Sequence, residues 1–181
     1  MIAIIDYDAG NIKSVEKALL YLGQEVKITS APSEILSADK VILPGVGAFG
    51  DAMEKLKERH LDDVIRKVTE KGTPFLGICL GLQLLFEQSD EAKGVEGLGI
   101  LKGEICRIPA CEGLKIPHMG WNSLHLEHNG RLFKNVDEQA YVYFVHSYYL
   151  KAKDENIVKA STEYGVHIHA SVEKGNIFAC Q

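Results

Sequence analysis

The sequence has little of what marks nucleic-acid-binding or membrane proteins. Its 20 Lys and Arg are outnumbered by 25 Asp and Glu, and the basic residues alternate with acidic ones, as in KLKERHLDDVIRK. Because phosphate binding needs clustered positive charge, the net charge of −5 argues against a nucleic-acid binder. No apolar run approaches the roughly 20 residues of a membrane-spanning helix, so we expect contact with neither nucleic acid nor membrane.

The chain has only four cysteines, and we expect no leader sequence. The four cysteines, at positions 79, 106, 111 and 180, do not have the spacing of a disulfide framework. The opening MIAIIDYD is apolar for only five residues and carries no basic leader, so we expect no signal peptide. These features favour reduced thiols and a cytoplasmic protein. A length of 181 residues suits one domain with a sizeable core.

Strands and helices alternate along the first half of the sequence. Short apolar runs predict strands at 1–7, 25–29, 40–43 and 73–78. Helical spacing and stop signals predict helices at 12–22, 51–57, 61–71 and 80–87, with a helical turn near 32–36. This alternation predicts an α/β fold with a mainly parallel sheet, in which ligands lie beyond the carboxyl ends of the strands.

The second half is typical of β structure. GLGILKGEICRI, YVYFVHSYYL, NIVKAST, VHIHASVE and NIFACQ are strand-like, with turn signals at 164–165 and 174–176. We expect these strands to extend or flank the first sheet, within one domain that spans residues 1–181.

Cys79 lies between two glycines, in GICLG, where a predicted strand turns into a predicted helix. A nucleophilic thiol must be an exposed thiolate near positive potential, and the free N–H groups of a first helical turn supply that potential. Gly77 and Gly81 would allow a tight elbow, as in the Gly-x-Ser-x-Gly turn of α/β-hydrolases. The alternative is a buried structural thiol, because cysteine is among the most buried residue types.

The loop PGVGAFG follows the strand at 40–43 and has two interpretations. Gly45, Gly47 and Gly50 match G-x-G-x-x-G, the dinucleotide-binding fingerprint. However, the acidic residue expected about 20 positions later, at the end of the next strand, is replaced there by Cys79. The second interpretation is an oxyanion hole, in which backbone N–H groups face the same opening as the thiol. A plain tight turn is the third possibility.

Four motifs in order, PGVGAFG, GICLGLQLLFE, PHMGWN and YFVHSYY, resemble the class I (triad) glutamine amidotransferases. The similarity runs from Met1 to Gln181. PGVG and GICLG are shared by many class I domains. PHMGWN with the tyrosine-rich YFVHSYY resembles, more narrowly, the glutaminase subunits of imidazole glycerol phosphate synthase, an enzyme of histidine biosynthesis. The resemblance implies a flavodoxin-like fold, with helices flanking a mainly parallel central sheet and an additional antiparallel β section.

The resemblance also implies an activity and a partner. Members hydrolyse L-glutamine to glutamate and ammonia, and pass the ammonia to a β/α-barrel cyclase subunit in a heterodimer. The cyclase uses it on a phosphoribulosyl-formimino carboxamide ribonucleotide to give imidazole glycerol phosphate. No cofactor is implied.

By the same resemblance, Cys79 is the nucleophile that forms a glutamyl thioester. The oxyanion hole would be made by backbone N–H groups of Val46 or Gly47 with Leu80. The glutamine pocket would be lined by Gly45, Gln83, Ser147 and Tyr148. The cyclase interface would include Asn11, Met119, Gly120, Trp121 and Asn122. A core-packing role is the alternative for Trp121, the single tryptophan.

Two features depart from the family pattern. The family completes its triad with a histidine and a glutamate in a Gln-Phe-His-Pro-Glu segment, whereas this sequence ends in NIFACQ at Gln181. It also ends before the family's closing helix. Because the histidine that would act as general base is missing, we expect this sequence to hydrolyse glutamine far below family rates. Asp8 stands where the family usually has glycine; Asp tolerates positive φ, so we expect the turn to form.

None of the seven histidines takes the place of the absent base. His146 is expected near the pocket, and His118 in the loop on the partner side. The spacing of His167 and His169 could suit a metal, but no carboxylate or cysteine ligands accompany them in pattern, so we expect no metal site. Surface positions are expected for His60, His125 and His128.

Other functions remain open from the sequence alone. The absent base also fits a non-catalytic subunit that only binds the cyclase. The glycine loop leaves a dinucleotide-binding protein as a further alternative, which a cofactor titration would detect. A thiol hydrolase of peptides or small electrophiles would not explain PHMGWN.

Overall fold

The apolar N-terminal run forms a buried strand in the larger sheet. In the computed structural model, which describes residues 1–8, 10–127 and 130–181, β1 (Ile2–Ile5) is buried at every position. It pairs in parallel with β2 (Val26–Thr29) and β3 (Lys40–Leu43). β4 (Phe75–Ile78) continues in parallel from β3. Parallel strands covered on both faces need consecutive apolar residues, which IAII supplies.

Antiparallel strands complete this sheet in the described part of the chain. β13 (Ile177–Cys180) pairs in parallel with β4 and antiparallel with β12 (His167–Lys174). β11 (Val158–Glu163) and β8 (His125–Leu126) follow, both antiparallel. The order is β2-β1-β3-β4-β13-β12-β11-β8. The predicted mainly parallel arrangement is therefore confirmed for β1 to β4 and β13, and the later strands extend it.

Two smaller sheets flank the large one among the described residues. β10 (Tyr148–Ala152) pairs antiparallel with β6 (Gly103–Arg107), which pairs in parallel with β5 (Gln88–Ser89). β7 (His118–Ser123) pairs antiparallel with β9 (Tyr141–His146). The strand-like run YVYFVHSYYL is thus divided between two sheets at Ser147, whose carbonyl oxygen accepts the Ile108 N–H at 3.0 Å.

The helices follow the predicted order. They are α1 (Ile12–Tyr21), α2 (Pro32–Ser37), α3 (Phe49–Glu58), α4 (Leu61–Glu70) and α5 (Leu80–Leu84), with a 3₁₀ turn at Glu155–Ile157. In α4, apolar residues at helical spacing are buried: Leu61, Val64, Ile65 and Val68. Helix α1 buries none of its residues fully, and Tyr21 at its end is 91% exposed.

Helix α5 is shorter than the predicted 80–87. The carbonyl oxygens of Leu84, Leu85 and Phe86 accept N–H groups from the segment that follows, at residues 98, 101 and 99. Because these carbonyls are taken by tertiary partners, the helix does not continue through them.

Buried apolar residues from Ala3 to Ala179 form one contiguous cluster between the sheets and helices α2 to α5. Of the helices in the described chain, none has the length and apolar character needed to cross a membrane.

Candidate active site

Cys79 lies in a strained turn between β4 and α5. Its φ of 55° and ψ of −112° are outside the regions that residues with a side chain normally adopt. Such a conformation costs on the order of 1–3 kcal/mol and persists only where the surrounding structure imposes it. The Cys79 N–H donates to the Cys180 carbonyl oxygen at 2.7 Å, which fixes the turn against β13.

The flanking glycines are required by close approach of backbone atoms. A Cβ on Gly81 would lie 1.9 Å from the Leu43 carbonyl oxygen, and one on Gly77 would lie 2.7 Å from the Gly81 carbonyl oxygen. Both distances are too short for any side chain, so the elbow can form only with glycine at these two positions. This is the physical basis of the GICLG pattern.

The thiol of Cys79 is half-buried. Its protonation state differs from the thiolate that the sequence led us to expect. Burial raises the pKa of Cys79 above its usual value, and this outweighs the lowering by the Leu80 N–H and the Gln181 amide. The Gln181 Nε2 group donates to the sulfur at 3.5 Å. In this state the neutral thiol is therefore the dominant form at neutral pH.

The glycine loop approaches the elbow through a carbonyl group. The Leu80 N–H donates to the Gly45 carbonyl oxygen at 3.4 Å, and Tyr7 Oη donates to the Pro44 carbonyl oxygen at 2.9 Å. Because a peptide bond is planar and trans, the Val46 N–H points away from the Gly45 carbonyl oxygen. Val46 N–H and Leu80 N–H, two of the expected oxyanion donors, do not converge in this state.

A cavity of about 450 Å³ opens beside the thiol. Its lining includes these residues expected at the site from the sequence: Val46, Gly47, Cys79, Leu80, Gln83, Ser147 and Tyr148. Gly45 is buried and does not line the cavity. The remaining lining residues are Glu91, Pro117, Val145 and His146.

Gln83 lines the cavity and its side-chain amide is held by two hydrogen bonds. Its Nε2 group donates to the Gln181 Oε1 at 2.9 Å and to the Tyr148 carbonyl oxygen at 3.4 Å. Helix α5 therefore contributes both the N–H beside the thiol and an amide that is bonded to β10.

Glu91 is a cavity residue that sequence reasoning missed. Its Oε2 accepts the backbone N–H of Phe49, the first residue of α3, at 2.8 Å. No pattern in SDEAKG marks this carboxylate; only the folding of the segment after β5 brings it to the cavity. The same contact argues against the dinucleotide alternative, because a carboxylate occupies the helix N-terminus where a phosphate would bind.

The residues expected at a partner interface lie partly on β7. Trp121 is 69% exposed and Met119 is 60% exposed, so the core-packing alternative for the tryptophan is wrong. Gly120 and Asn122 are half-buried on the same strand, and Asn11 is exposed at the start of α1. The neighbouring strand β9 adds exposed side chains that the sequence did not single out, Tyr141, Tyr143 and Val145.

These side chains form one exposed patch, which we call the aromatic face: Met119, Trp121, Tyr141, Tyr143 and Val145. Trp121 and Tyr143 are cross-strand partners whose rings meet edge to face with centroids 5.7 Å apart. Val145 also lines the cavity, so the aromatic face and the cavity adjoin.

The DYDAGN turn is tied to α3 by its unusual aspartate. Asp8 has a φ of 64°, as expected for a residue in place of glycine, and Ala9 lies outside the described residues. The carboxylate of Asp8 pairs with Arg59, and its carbonyl oxygen accepts Lys55 Nζ at 3.2 Å. The aspartate side chain therefore adds one ion pair, with Arg59, between this turn and the end of α3, whereas the bond from Lys55 is to the backbone.

The remaining histidines lie away from the thiol. The Nδ1 of His169 accepts the Ala152 N–H at 3.0 Å and His167 pairs with Glu163. Within residues 1–8, 10–127 and 130–181, no cluster of three or more His, Cys, Asp or Glu could hold a metal ion. His60 and His125 are exposed, and His128 lies outside the described residues.

Comparisons with a family model and with curated proteins point to the same family. The family model for glutamine amidotransferase class-I matches residues 3–181. The chain is 51% identical over 180 residues to the imidazole glycerol phosphate synthase subunit HisH of Moorella thermoacetica, covering 99% of this chain and 85% of that protein. It is 52% identical to the HisH subunit of Oceanobacillus iheyensis over 181 residues, covering 100% and 89% of the two chains.

Solved structures agree on the fold. A crystal structure of a glutamine amidotransferase superposes with a TM-score of 0.77 at 20% identity, covering 99% of this chain and 88% of that one. A second glutamine amidotransferase, from Thermotoga maritima, gives a TM-score of 0.70 at 15% identity, covering 99% and 74%. These likenesses confirm the α/β fold with its mainly parallel central sheet and additional antiparallel strands.

Proposed function

This chain belongs to the class-I glutamine amidotransferases, and on that premise we propose that it is the glutaminase subunit of imidazole glycerol phosphate synthase. About half of its residues are identical to those of HisH subunits over its whole length. The observation that carries the assignment is the strained Cys79 elbow, which opens on a cavity whose lining includes a few polar groups suited to an amino acid. Histidine biosynthesis in the cytoplasm is the corresponding setting.

Glutamine fits the cavity by charge and length. The Glu91 carboxylate would bind the substrate's ammonium group, and the side chain of glutamine would extend toward Cys79. Ser147 and Tyr148, at the start of β10, would face its α-carboxylate through their backbone and hydroxyl groups. A small site with a few convergent polar groups fixes both the charge and the orientation of such a ligand.

The reaction begins with attack of Cys79 Sγ on the amide carbon of the glutamine side chain. The tetrahedral intermediate collapses when the C–N bond breaks, ammonia leaves with a proton from the thiol, and a glutamyl thioester remains. Water then attacks the thioester, which gives glutamate and restores the thiol. Each addition places negative charge on the former carbonyl oxygen, so backbone donors at that position lower both barriers.

Two features keep this state short of full activity. The Gly45 carbonyl oxygen, not the Val46 N–H, faces the elbow, so rotation of the Gly45–Val46 peptide must precede oxyanion binding. The thiol also needs a proton acceptor, which in the family is a histidine. Among the described residues no histidine is hydrogen-bonded to Cys79 Sγ, and both ring nitrogens of His146 are bonded elsewhere.

The aromatic face is the surface that we assign to the cyclase. It exposes three aromatic side chains and a methionine, residue types that are enriched at protein interfaces. Because Val145 borders both this face and the cavity, ammonia released at Cys79 would have a short path to a partner docked there. The partner's chemistry is that of an ammonia-consuming β/α-barrel cyclase.

The proposal is tested by labelling with a glutamine-like diazo ketone, which alkylates a thiol held in a glutamine site. We expect peptide mass spectrometry to place the label on Cys79, with protection by L-glutamine and none by D-glutamine. A Cys79→Ser variant should take up no label. Equal labelling of the exposed Cys111, or no protection by L-glutamine, would show that no glutamine site surrounds the thiol.

A non-catalytic cyclase-binding subunit is the second candidate. The raised pKa of Cys79 and the Leu80–Gly45 contact favour it for the isolated chain. The same labelling with the cyclase added separates the two candidates. A subunit that is activated by its partner should label faster in the complex, whereas a scaffold should bind the cyclase and label no faster.

A further inference from the structure

Two histidines lie buried in contact between the aromatic face and the glutamine cavity. His118 on β7 and His146 on β9 are cross-strand partners, and they are only 2% and 6% exposed. Their ring nitrogens, His118 Nδ1 and His146 Nε2, are 3.0 Å apart. His146 also lines the cavity.

The hydrogen-bond partners fix which nitrogen of each ring carries a proton. His146 Nδ1 lies 2.8 Å from the Tyr148 carbonyl oxygen, which can only accept, so Nδ1 must be the protonated nitrogen. In a neutral ring His146 Nε2 is then an acceptor, and His118 Nδ1 must be its donor. His118 Nε2 is left as an acceptor.

Asn122 supplies the donor for that last nitrogen. Its Nδ2 lies 3.4 Å from His118 Nε2 and 3.0 Å from the Glu163 carbonyl oxygen. Its Oδ1 accepts the Ser123 N–H at 2.9 Å. Since the nitrogen of the amide faces two acceptors and its oxygen faces a donor, the amide cannot be reversed without losing all three bonds.

We propose that His118 and His146 are positioning residues in a one-directional chain of hydrogen bonds that runs from Asn122 through both rings to the Tyr148 carbonyl oxygen, and that this chain holds the cavity wall in the form that binds glutamine. The role in binding rests on the proposed function. The chain begins on β7, the strand that carries Met119 and Trp121 of the aromatic face, and ends at the cavity.

The Tyr148 carbonyl oxygen is the point where the chain acts on the site. It accepts His146 Nδ1–H on one side and the Gln83 Nε2 group on the other. Rotation of this peptide, which joins Tyr148 to Tyr149, would break the bond from Gln83 as well as the bond from His146. The His146 bond therefore fixes a carbonyl that also holds the Gln83 side chain in the cavity wall.

The chain requires both rings to be neutral. A proton added to either ring turns an acceptor nitrogen into a donor that faces another donor, either at the contact between the rings or at Asn122. Burial keeps the rings neutral: it lowers the pKa of His118 to about 4 and also lowers the pKa of His146. Stacking of His118 against Phe144 and Tyr164, with centroids 4.7 and 3.8 Å away, holds its ring plane in register.

The tautomers can be measured directly on the unmodified chain. The ¹⁵N chemical shifts of histidine rings distinguish an Nδ1–H from an Nε2–H tautomer at neutral pH. We expect His118 and His146 both to be neutral and protonated at Nδ1. An Nε2–H tautomer at either residue, or a charged ring at neutral pH, would overturn the chain whatever the protein's activity.

A matched pair of variants at His118 separates hydrogen bonding from packing. His118→Phe keeps the stacked ring and removes both nitrogens, whereas His118→Asn removes the ring and keeps a donor near the position of Nδ1. The diazo ketone gives two constants, KI for occupancy of the glutamine site and kinact for alkylation of Cys79.

We expect KI to rise about tenfold in His118→Phe, since a buried acceptor on His146 loses its donor. It should rise less than about threefold in His118→Asn, and kinact should stay within about twofold in both, because neither residue touches the sulfur. A larger rise in KI for His118→Asn than for His118→Phe would show a packing role and overturn the proposal. A fall in kinact as large as the rise in KI would do the same.

The two levels of failure are distinguishable. A wild-type chain that takes up no label at Cys79 overturns the proposed function together with the role in glutamine binding. A labelled wild type whose KI is unchanged in both variants overturns the positioning chain alone.

Discussion

The strain at Cys79 predicts that a glycine variant is more stable than an alanine variant at this position, the reverse of the usual order. Alanine at this position would keep the unfavourable φ of 55° and ψ of −112°, whereas glycine adopts positive φ without a steric penalty. Relief of the strain is worth on the order of 1–3 kcal/mol. Two effects favour alanine instead. Glycine has greater freedom in the unfolded chain, which costs about 0.4–1 kcal/mol of stability, and it lacks the half-buried methyl group of alanine, which costs about a few tenths of a kcal/mol.

Cys79→Gly should therefore be more stable than Cys79→Ala by about 1 kcal/mol, a difference of roughly 2–4 °C in Tm for a chain of this size. Urea unfolding followed by circular dichroism measures the free energy of unfolding of both variants. The control is Lys57 at an exposed position of α3. There the free energy of unfolding of Lys57→Ala should exceed that of Lys57→Gly by about 1 kcal/mol. An alanine variant as stable as the glycine variant, or more stable, would refute the claim that the fold imposes strain on residue 79.

Three further predictions concern the cavity, the aromatic face and pH. Glu91→Gln should weaken glutamine binding about tenfold or more in calorimetry, since the bond to the ammonium loses its charge, while the free energy of unfolding changes little; unchanged affinity would exclude the assigned role. Trp121→Ala should lower cyclase affinity at least tenfold and leave stability within about 0.5 kcal/mol. As a control, Tyr21→Ala removes another aromatic side chain, which is more exposed than Trp121 and lies outside the aromatic face. It should change neither the cyclase affinity nor the stability. Because the pKa values of His118 and His146 are lowered by folding, the unfolded chain binds more protons, so their contribution to stability is present above about pH 6.5 and is lost as the pH falls. The drop in unfolding free energy from about pH 7 to about pH 5 should be smaller in His118→Phe than in wild type, and an equal drop would contradict the buried neutral pair.

The sequence predicted most of the first half of the fold because local patterns there agree with the tertiary structure. Consecutive apolar residues are enough to indicate a strand buried on both faces, and β1 and β3 follow within a few residues of the predicted bounds. Helix α5 was predicted too long, because hydrogen bonds from residues 98–101 take its last carbonyls. The strand-like run at 141–150 gave no local sign that Ser147 divides it between two sheets.

Some residues of the candidate site could be predicted from the sequence and others could not, for the same reason. Cys79 and its glycines were recognisable because a tight elbow demands residues without a Cβ at fixed spacing, and that demand is local. Glu91 was missed because an acidic residue in a loop has no pattern of its own. The exposed residues Tyr141 and Tyr143 were also missed, since alternation along a strand does not say which side faces solvent.

By itself the sequence determined the alternation of strands and helices, the position of the Cys79 elbow and the family, because each depends on short-range periodicity or on contiguous motifs. Only the tertiary structure decided the ionisation of the thiol, the direction of the Gly45 carbonyl and the neutral state of the two histidines. These properties arise from burial and from hydrogen-bond partners far away in the chain, such as Gln181 at Cys79, 102 residues apart. Electrostatic free energies depend on distances in space, which residue order alone does not contain.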